Sequence, residues 1–243
     1  MLCLTFDTDH CNAARMREWL AACKFPGRGT VFCTEAFPFL ADHNVEVAPH
    51  PFLHDTSDPT AEIERWRNML PGATCWRAHS LATSQVVSIR LGQRGFRISS
   101  NMEMFACLDI RPVLSPWGVW EMPIFYMDNS DFNRPDYGMA GDLGIFDPRI
   151  IETAVRGNAL YVFDFHPVHY LLNTPTYRYY RENAGKFKEG ADTAQIRFGG
   201  YGVASFFDDL VDAMVAAGSI SLSLPEALAA WTSGDGASVW DVT

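Results

Sequence analysis

Short apolar stretches alternate with amphipathic ones along nearly the whole of this 243-residue chain. The apolar stretches predict strands at 1–7, 29–34, 45–48, 74–78, 96–99, 118–124, 159–165 and 219–223. The amphipathic ones predict helices at 12–23, 59–70, 83–93, 148–156, 203–217 and 225–232. Pro59 and Pro225 fit first helical positions, and Gly72, Gly95 and Gly157 follow helical patterns as stop signals. Alternation of this kind builds a parallel sheet, because parallel neighbours need a crossover long enough for a helix. Seven or eight strands in one chain of this length point to an α/β fold closing as a distorted (β/α) barrel. Two stretches, 101–117 and 167–202, lack clear periodicity and read as long loops, which in a compact domain are often functional.

Composition narrows the class. The chain is 48% hydrophobic and 20% charged, enough for one sizeable core, so residues 1–243 are expected to form a single domain. A formal charge of -10 argues against a general nucleic-acid surface, which needs clustered cations. Only Lys24, Lys186 and Lys188 are lysines; the other cations are arginines, which favour planar anions and buried pairs. The early apolar run Met1–Phe6 is too short for a signal or a membrane span. The six cysteines, 3, 11, 23, 33, 75 and 107, form no C-x-x-C pair and are expected to be buried and reduced. Together these features lead to the expectation of a cytoplasmic protein without a membrane span.

In βα folds the chemistry gathers at the C-terminal ends of strands, and Asp7, Asp9, His50, Arg77 and His166 each end or follow a predicted strand. Asp7 and Asp9 form an Asp-x-Asp pair that puts two carboxylates on one strand face. His50 and His54 form an H-x-x-x-H pair, one turn apart if helical, which is how a helix offers two imidazoles to one metal ion. Taken alone, the histidines fit surface loops beside Pro49 and Pro51. With Asp9 they make a two-nitrogen, one-oxygen set suited to zinc or another divalent transition metal with an open position. Asp7 would then be the general base. Arg77, ending the strand around Cys75–Trp76, would keep a carboxylate ionised and oriented. His166 is either a packed core histidine or an acid, with Asp164 two residues earlier on the same strand face as its candidate partner. His79 and His169 are weaker candidates, and His10 and His43 read as structural or solvent-facing.

These motifs, in this order, resemble those of the polysaccharide deacetylases, the NodB-like carbohydrate esterases. Thr5-Phe6-Asp7-Thr8-Asp9 is similar to the family's T-F-D-D-G, and His50 and His54 match its H-x-x-x-H. Gly29–Cys33 resembles its second strand, Phe163–His166 its last motif, and Leu222–Leu228 its tail. Of its R-x-P-x-G only Arg77 is kept; His79 stands in place of the proline and Leu81 of the glycine, which alters the groove wall and makes His79 a substrate-binding candidate. The resemblance implies a deacetylase-type barrel, Asp7 as base, Asp9, His50 and His54 as metal ligands, Arg77 holding Asp7, and His166 as acid. It implies removal of acetate from an N-acetylated sugar, free or carried on an anionic group, as in bacterial surface-polysaccharide biosynthesis. The family's aspartate that pairs with the catalytic histidine has no clear match, and Asp164 is taken in its place. Arg178 and Arg181, within the aromatic Tyr177–Arg181 run, are candidates for holding a phosphorylated carrier. The oligomeric state is not readable.

Two rivals stand beside this reading. A haloacid-dehalogenase-type phosphatase would use Asp7 as nucleophile and Gly141–Asp147 as its acidic motif, but no lysine lies between residues 25 and 141 where that chemistry needs one. A catalytically inactive sugar-binding barrel would explain the changed residues 79 and 81. An amidohydrolase-type barrel lacks its H-x-H after the first strand.

Overall fold

Leu2–Asp7 form β1, the middle strand of a five-stranded, all-parallel sheet. The computed structural model describes residues 1–56, 58–139 and 141–234. The chain continues through α1 (Ala13–Ala22), β2 (Gly29–Cys33), β3 (Val45–Pro49), α2 (Pro59–Met69), β4 (Cys75–Trp76), α3 (Gln85–Gln93), β5 (Ile98–Ser99), β6 (Val113–Leu114), β7 (Trp120–Glu121) and β8 (Ile124–Met127). Then follow α4 (Asp128–Asn133), α5 (Pro148–Arg156), β9 (Tyr161–Phe165), α6 (Pro167–Leu172), α7 (Tyr177–Lys188), α8 (Thr193–Ile196), α9 (Val203–Ala216) and α10 (Leu224–Ser233). The first sheet has the order β3-β2-β1-β9-β8, and β4-β5-β7-β6 make a second sheet with β6 antiparallel.

The architecture is therefore α/β with a mostly parallel sheet, but the ladders do not run as one ring. β7 and β8 are almost continuous, one pairing with β5 and the other with β9. Pro123 lies between them and has no N–H to continue a ladder. On the other side β3 ends at Pro49, which can only accept, and two backbone bonds cross there: Arg77 N to Pro49 O at 3.3 Å and His79 N to Pro51 O at 2.9 Å. The strand expected at 219–223 is reduced to a single bridge, Gly27 to Ser221. Gly27 has φ +91, and a Cβ there would come within 2.2 Å of Ser221 O, so that approach requires glycine.

Both faces of the first sheet are covered, so its strands read as near-continuous apolar runs. On one face Phe6 meets Trp19 of α1 at 4.7 Å and Phe207 of α9 at 6.1 Å between ring centroids. Burying each such ring contributes ~1.5–3 kcal/mol. On the other face the register sets Thr5 beside Asp164 and Asp7 beside Phe32, bringing polar groups of β1 and β9 together. Five cysteines are buried as expected, whereas Cys107, in a turn, is exposed; all six are free. No helix among the described residues is long and apolar enough to cross a membrane.

The aperiodic stretch 167–202 is not a loop. It holds α6, α7 and α8; in α7 only Phe187 is buried, with Tyr180 and Ala184 half-buried on the same face. Asn173 holds this segment in place. Its backbone is left-handed, φ 49, and its amide donates to Phe198 O at 3.0 Å and Gly200 O at 2.8 Å while accepting from Ala204 N at 3.0 Å, at the start of α9. Asn173→Ala strands buried backbone groups and should cost about 2–4 kcal/mol in urea unfolding. Asn173→Gly keeps the backbone freedom but loses the same bonds; wild-type stability in that variant would refute the role.

Candidate active site

The site lies where β1, β3, β4, β8 and β9 end. Arg77, one residue past β4, is fully buried. Its Nη1 donates to Asp7 Oδ1 at 2.9 Å, to Thr5 Oγ1 at 3.0 Å and, in a short contact, to Asp164 Oδ1. Its Nε reaches Ser100 O at 2.9 Å and its Nη2 reaches Ser100 Oγ at 2.8 Å. Burial works against the charge, but Asp164 and Asp7 outweigh it and the pKa of Arg77 rises. Burial pushes Asp164 up, against the pull of Arg77.

Asp9 follows β1 by two residues and receives three imidazoles. Its Oδ2 lies 3.0 Å from His79 Nδ1, 3.4 Å from His50 Nε2 and 3.6 Å from His166 Nε2, while its buried Oδ1 has no partner. Burial opposes ionisation of Asp9, but the bonds from His50 and His79 outweigh it and hold the carboxyl well below its ordinary range.

His50 Nδ1 lies 3.1 Å from the Arg77 carbonyl, which can only accept, so Nδ1 carries the proton. Nε2 is buried without a hydrogen bond, 3.4 Å from Asp9 and 3.5 Å from Asp7. A neutral imidazole there would turn a lone pair toward two carboxylates. Burial lowers the pKa of His50, but Asp7 and Asp9 more than offset this and raise it overall. The place calls for positive charge, a proton or a metal ion. Asp9, His50 and His79 put ligand atoms within 4.8 Å of one another, as do Asp7, Asp164 and His166. The donor types, carboxylate and imidazole, fit a divalent ion.

The H-x-x-x-H pair is not on an α-helix. His50 follows β3 in extended chain, and His54 lies in a 3₁₀ turn, Leu53–Asp55, because Pro49 and Pro51 break the helix that the spacing suggested. His54 is exposed and lies against His79, with ring centroids 5.4 Å apart.

His166 has a different partner from the one expected. Asp128 Oδ1 lies 2.7 Å from its Nδ1, and Asp128 Oδ2 accepts from its backbone N–H at 2.8 Å. Asp164 instead faces Arg77 and Thr5, whose hydroxyl it accepts at 2.7 Å. Asp128 was legible in principle: it follows the apolar strand β8 just as Asp7 ends β1. The sequence expectation ended that strand at 124, short of its true end at Met127, and so missed it. Burial alone would lower the pKa of His166, but Asp128, then Asp164 and Asp7, push it up to about 10. His169 lies beside it, buried and pushed down to about 3, and stays neutral.

A pocket of about 110 Å³ opens over this group, lined by Asp9, His79, His166, Tyr177 and Tyr180 among others. Tyr177 also borders a neighbouring, more open pocket of about 430 Å³ with Arg178, Arg181, Asp136 and Glu182. The start of α7 thus borders the same mouth as the histidines. Arg178 is paired with Glu182 at 2.9 Å. The phosphatase-like Gly141–Asp147 run ends in a helix cap: Asp147 caps α5 and pairs with Arg149 at 2.7 Å.

The chain belongs to the WbmS-like polysaccharide deacetylase family, whose model matches residues 4–184. No curated protein matches the sequence. Among solved structures, an inferred polysaccharide deacetylase involved in O-antigen biosynthesis from Bordetella bronchiseptica superposes with a TM-score of 0.71 at 20% identity, over 87% of this chain and 89% of that one. At that identity the likeness shows the fold. A second inferred polysaccharide deacetylase, from Mycobacterium smegmatis, is 16% identical over 92% of both chains, with a TM-score of 0.46.

In metal-free protein the His166 ring should hold its proton up to pH about 10, read by NMR titration. Asp128→Asn removes the strongest opposing charge, and the titration should fall well below that value. An unchanged titration would mean that Asp128 does not set the charge.

Proposed function

We propose that this chain is a metal-dependent N-deacetylase that removes acetate from an N-acetylated sugar in bacterial surface-polysaccharide biosynthesis. The observation that carries the proposal is His50: its tautomer is set by a carbonyl, and its free nitrogen is aimed between Asp7 and Asp9. Zinc is the ion that this carboxylate and imidazole set suits best. When bound, it would supply Lewis acidity toward an amide carbonyl.

The other steps belong to the side chains. Asp7 keeps one oxygen on Arg77 and has the other free to take a proton from attacking water. His166, protonated and oriented by Asp128, gives its proton to the sugar nitrogen as the C–N bond breaks. An amine is a poor leaving group without that proton. The products are acetate and a free amino sugar. Asp9, His50 and either His54 or His79 are the proposed metal ligands, with Arg77 and Asp164 as the support behind Asp7. His79 also stands in the pocket wall, where it would meet the sugar. Arg178 and Arg181 border the adjoining pocket, and we assign them to an anionic carrier.

On this reading the two sheets are the halves of a distorted (β/α) barrel with the site at its C-terminal mouth. The near-continuity of β7 and β8 supports it. The whole chain is taken as one catalytic domain, in keeping with Ser221 Oγ accepting from Leu4 N at 2.9 Å and Leu224 N reaching Thr30 Oγ1 at 3.0 Å.

Acetate release from N-acetyl sugars, free and diphosphate-linked, tests the proposal. Asp7→Asn should abolish turnover and keep the metal; Asp9→Asn should lose the metal. His166→Ala should lower the rate about 10²- to 10⁴-fold on the amide and less on an activated acetate ester. Arg178→Ala with Arg181→Ala should raise KM for the diphosphate-linked sugar and spare the free one. A phosphoryl group trapped on Asp7 would end the reading, as would a metal-loaded protein inert toward every acetylated sugar.

A further inference from the structure

We propose that His79, through Nδ1, is a metal ligand of this site and takes the place that the H-x-x-x-H spacing gives to His54. This rests on the metal reading above and deepens it. Three observations carry it. His79 Nδ1 lies 3.0 Å from Asp9 Oδ2, nearer than either of the other two imidazole nitrogens that approach that oxygen. It belongs, with Asp9 and His50, to a group whose ligand atoms lie within 4.8 Å of one another. Its backbone is fixed on both sides: Ala78 N donates to Asn101 Oδ1 at 2.7 Å, and His79 N donates to Pro51 O at 2.9 Å.

Ser80 and Leu81, the next two residues, are left-handed at φ 56 and φ 53. Neither is glycine, so the turn is strained, and such strain persists where surrounding contacts over-determine the position. The effect is to hold His79 at the mouth while the chain turns away. Phe52 packs on the ring at 4.5 Å between centroids and closes off one side. His50 has its proton on the far nitrogen, so its Nε2 offers Asp9 a lone pair rather than a hydrogen bond, and Asp9, His50 and His79 are placed as ligands around a shared cation.

The alternative is that His79 only orients Asp9 by a hydrogen bond. His79→Gln separates the two, because the amide can still donate to Asp9 but does not replace an imidazole nitrogen. Zinc affinity by chelator competition and the imidazole count by X-ray absorption would be measured on wild type, His79→Gln, His54→Ala and His50→Ala, with folding checked by circular dichroism. Losing an outer hydrogen-bond partner typically weakens a metal about 10- to 100-fold. Losing a ligand should exceed that, so His79→Gln is expected to weaken zinc more than about 100-fold and to remove one imidazole, while His54→Ala keeps the count. An unchanged imidazole count in His79→Gln, whatever the affinity, would overturn the proposal. If His50→Ala kept its zinc, the metal reading itself would fail, whatever His79 does.

Discussion

A buried guanidinium holds this site together. Arg77 touches the inward face of nearly every strand around it: Thr5 and Asp7 on β1, Phe32 on β2, Asp164 on β9 and Ser100 just past β5. Its backbone adds the crossing to β3, donating to Pro49 O and accepting from His50. A lysine could not replace it, because a single ammonium cannot reach these acceptors in a planar fork while stacking on Phe32 at 4.2 Å. Two carboxylates buried this deeply would be intolerable without the cation, and the cation without them. The sheets meet here by side chains where the ladder is broken by proline.

That arrangement explains how the site's acids differ. Asp7 and Asp164 share the same nitrogen, yet only Asp7 also faces His50. Asp164 has its remaining oxygen sealed without a partner, and burial pushes its pKa up against the pull of Arg77. It lies as a counter-ion to Arg77. Asp9 is the opposite case: imidazoles surround it, and the bonds from His50 and His79 hold its carboxyl well below the ordinary range. Asp7, the last residue of β1, and Asp9, two residues beyond it, thus sit in different surroundings, one against Arg77 and the other among imidazoles.

How much of this the sequence disclosed depended on whether the signal was local. Strand ends are local, so Asp7, Asp9, His50, Arg77 and His166 were legible as a group, and the structure brings all five together. The helical reading of His50 and His54 rested on spacing alone and ignored Pro49 and Pro51, which favour the extended chain seen here. Asp128 was missed because the expected strand was closed at Ile124, whereas the apolar run Ile124–Met127 is itself β8 and ends one residue before Asp128. α7 was missed because it lies on the surface: its inward stripe, Tyr180, Ala184 and Phe187, has one fully buried residue and sits among charged and polar neighbours. Arg77 was visible as a residue but not as a hub, since its acceptors are spread over some 160 residues of chain and meet only through register.

His50 and His166 show how one residue type is given two different settings. Each uses Nδ1 to bind what lies behind it and turns Nε2 toward Asp9. Behind His50 is a peptide carbonyl, which fixes the proton on Nδ1 and leaves Nε2 facing Asp7 and Asp9, the arrangement that the proposed metal would use. Behind His166 is the Asp128 carboxylate, which stabilises the imidazolium, the form that the proposed acid would need. A metal ion near Asp9 would sharpen the contrast, since positive charge repels an imidazolium but is satisfied by a lone pair. On the proposed function, the division between binding a metal and moving a proton would therefore be decided at the far side of each ring, by whether the chain there presents a carbonyl or a carboxylate.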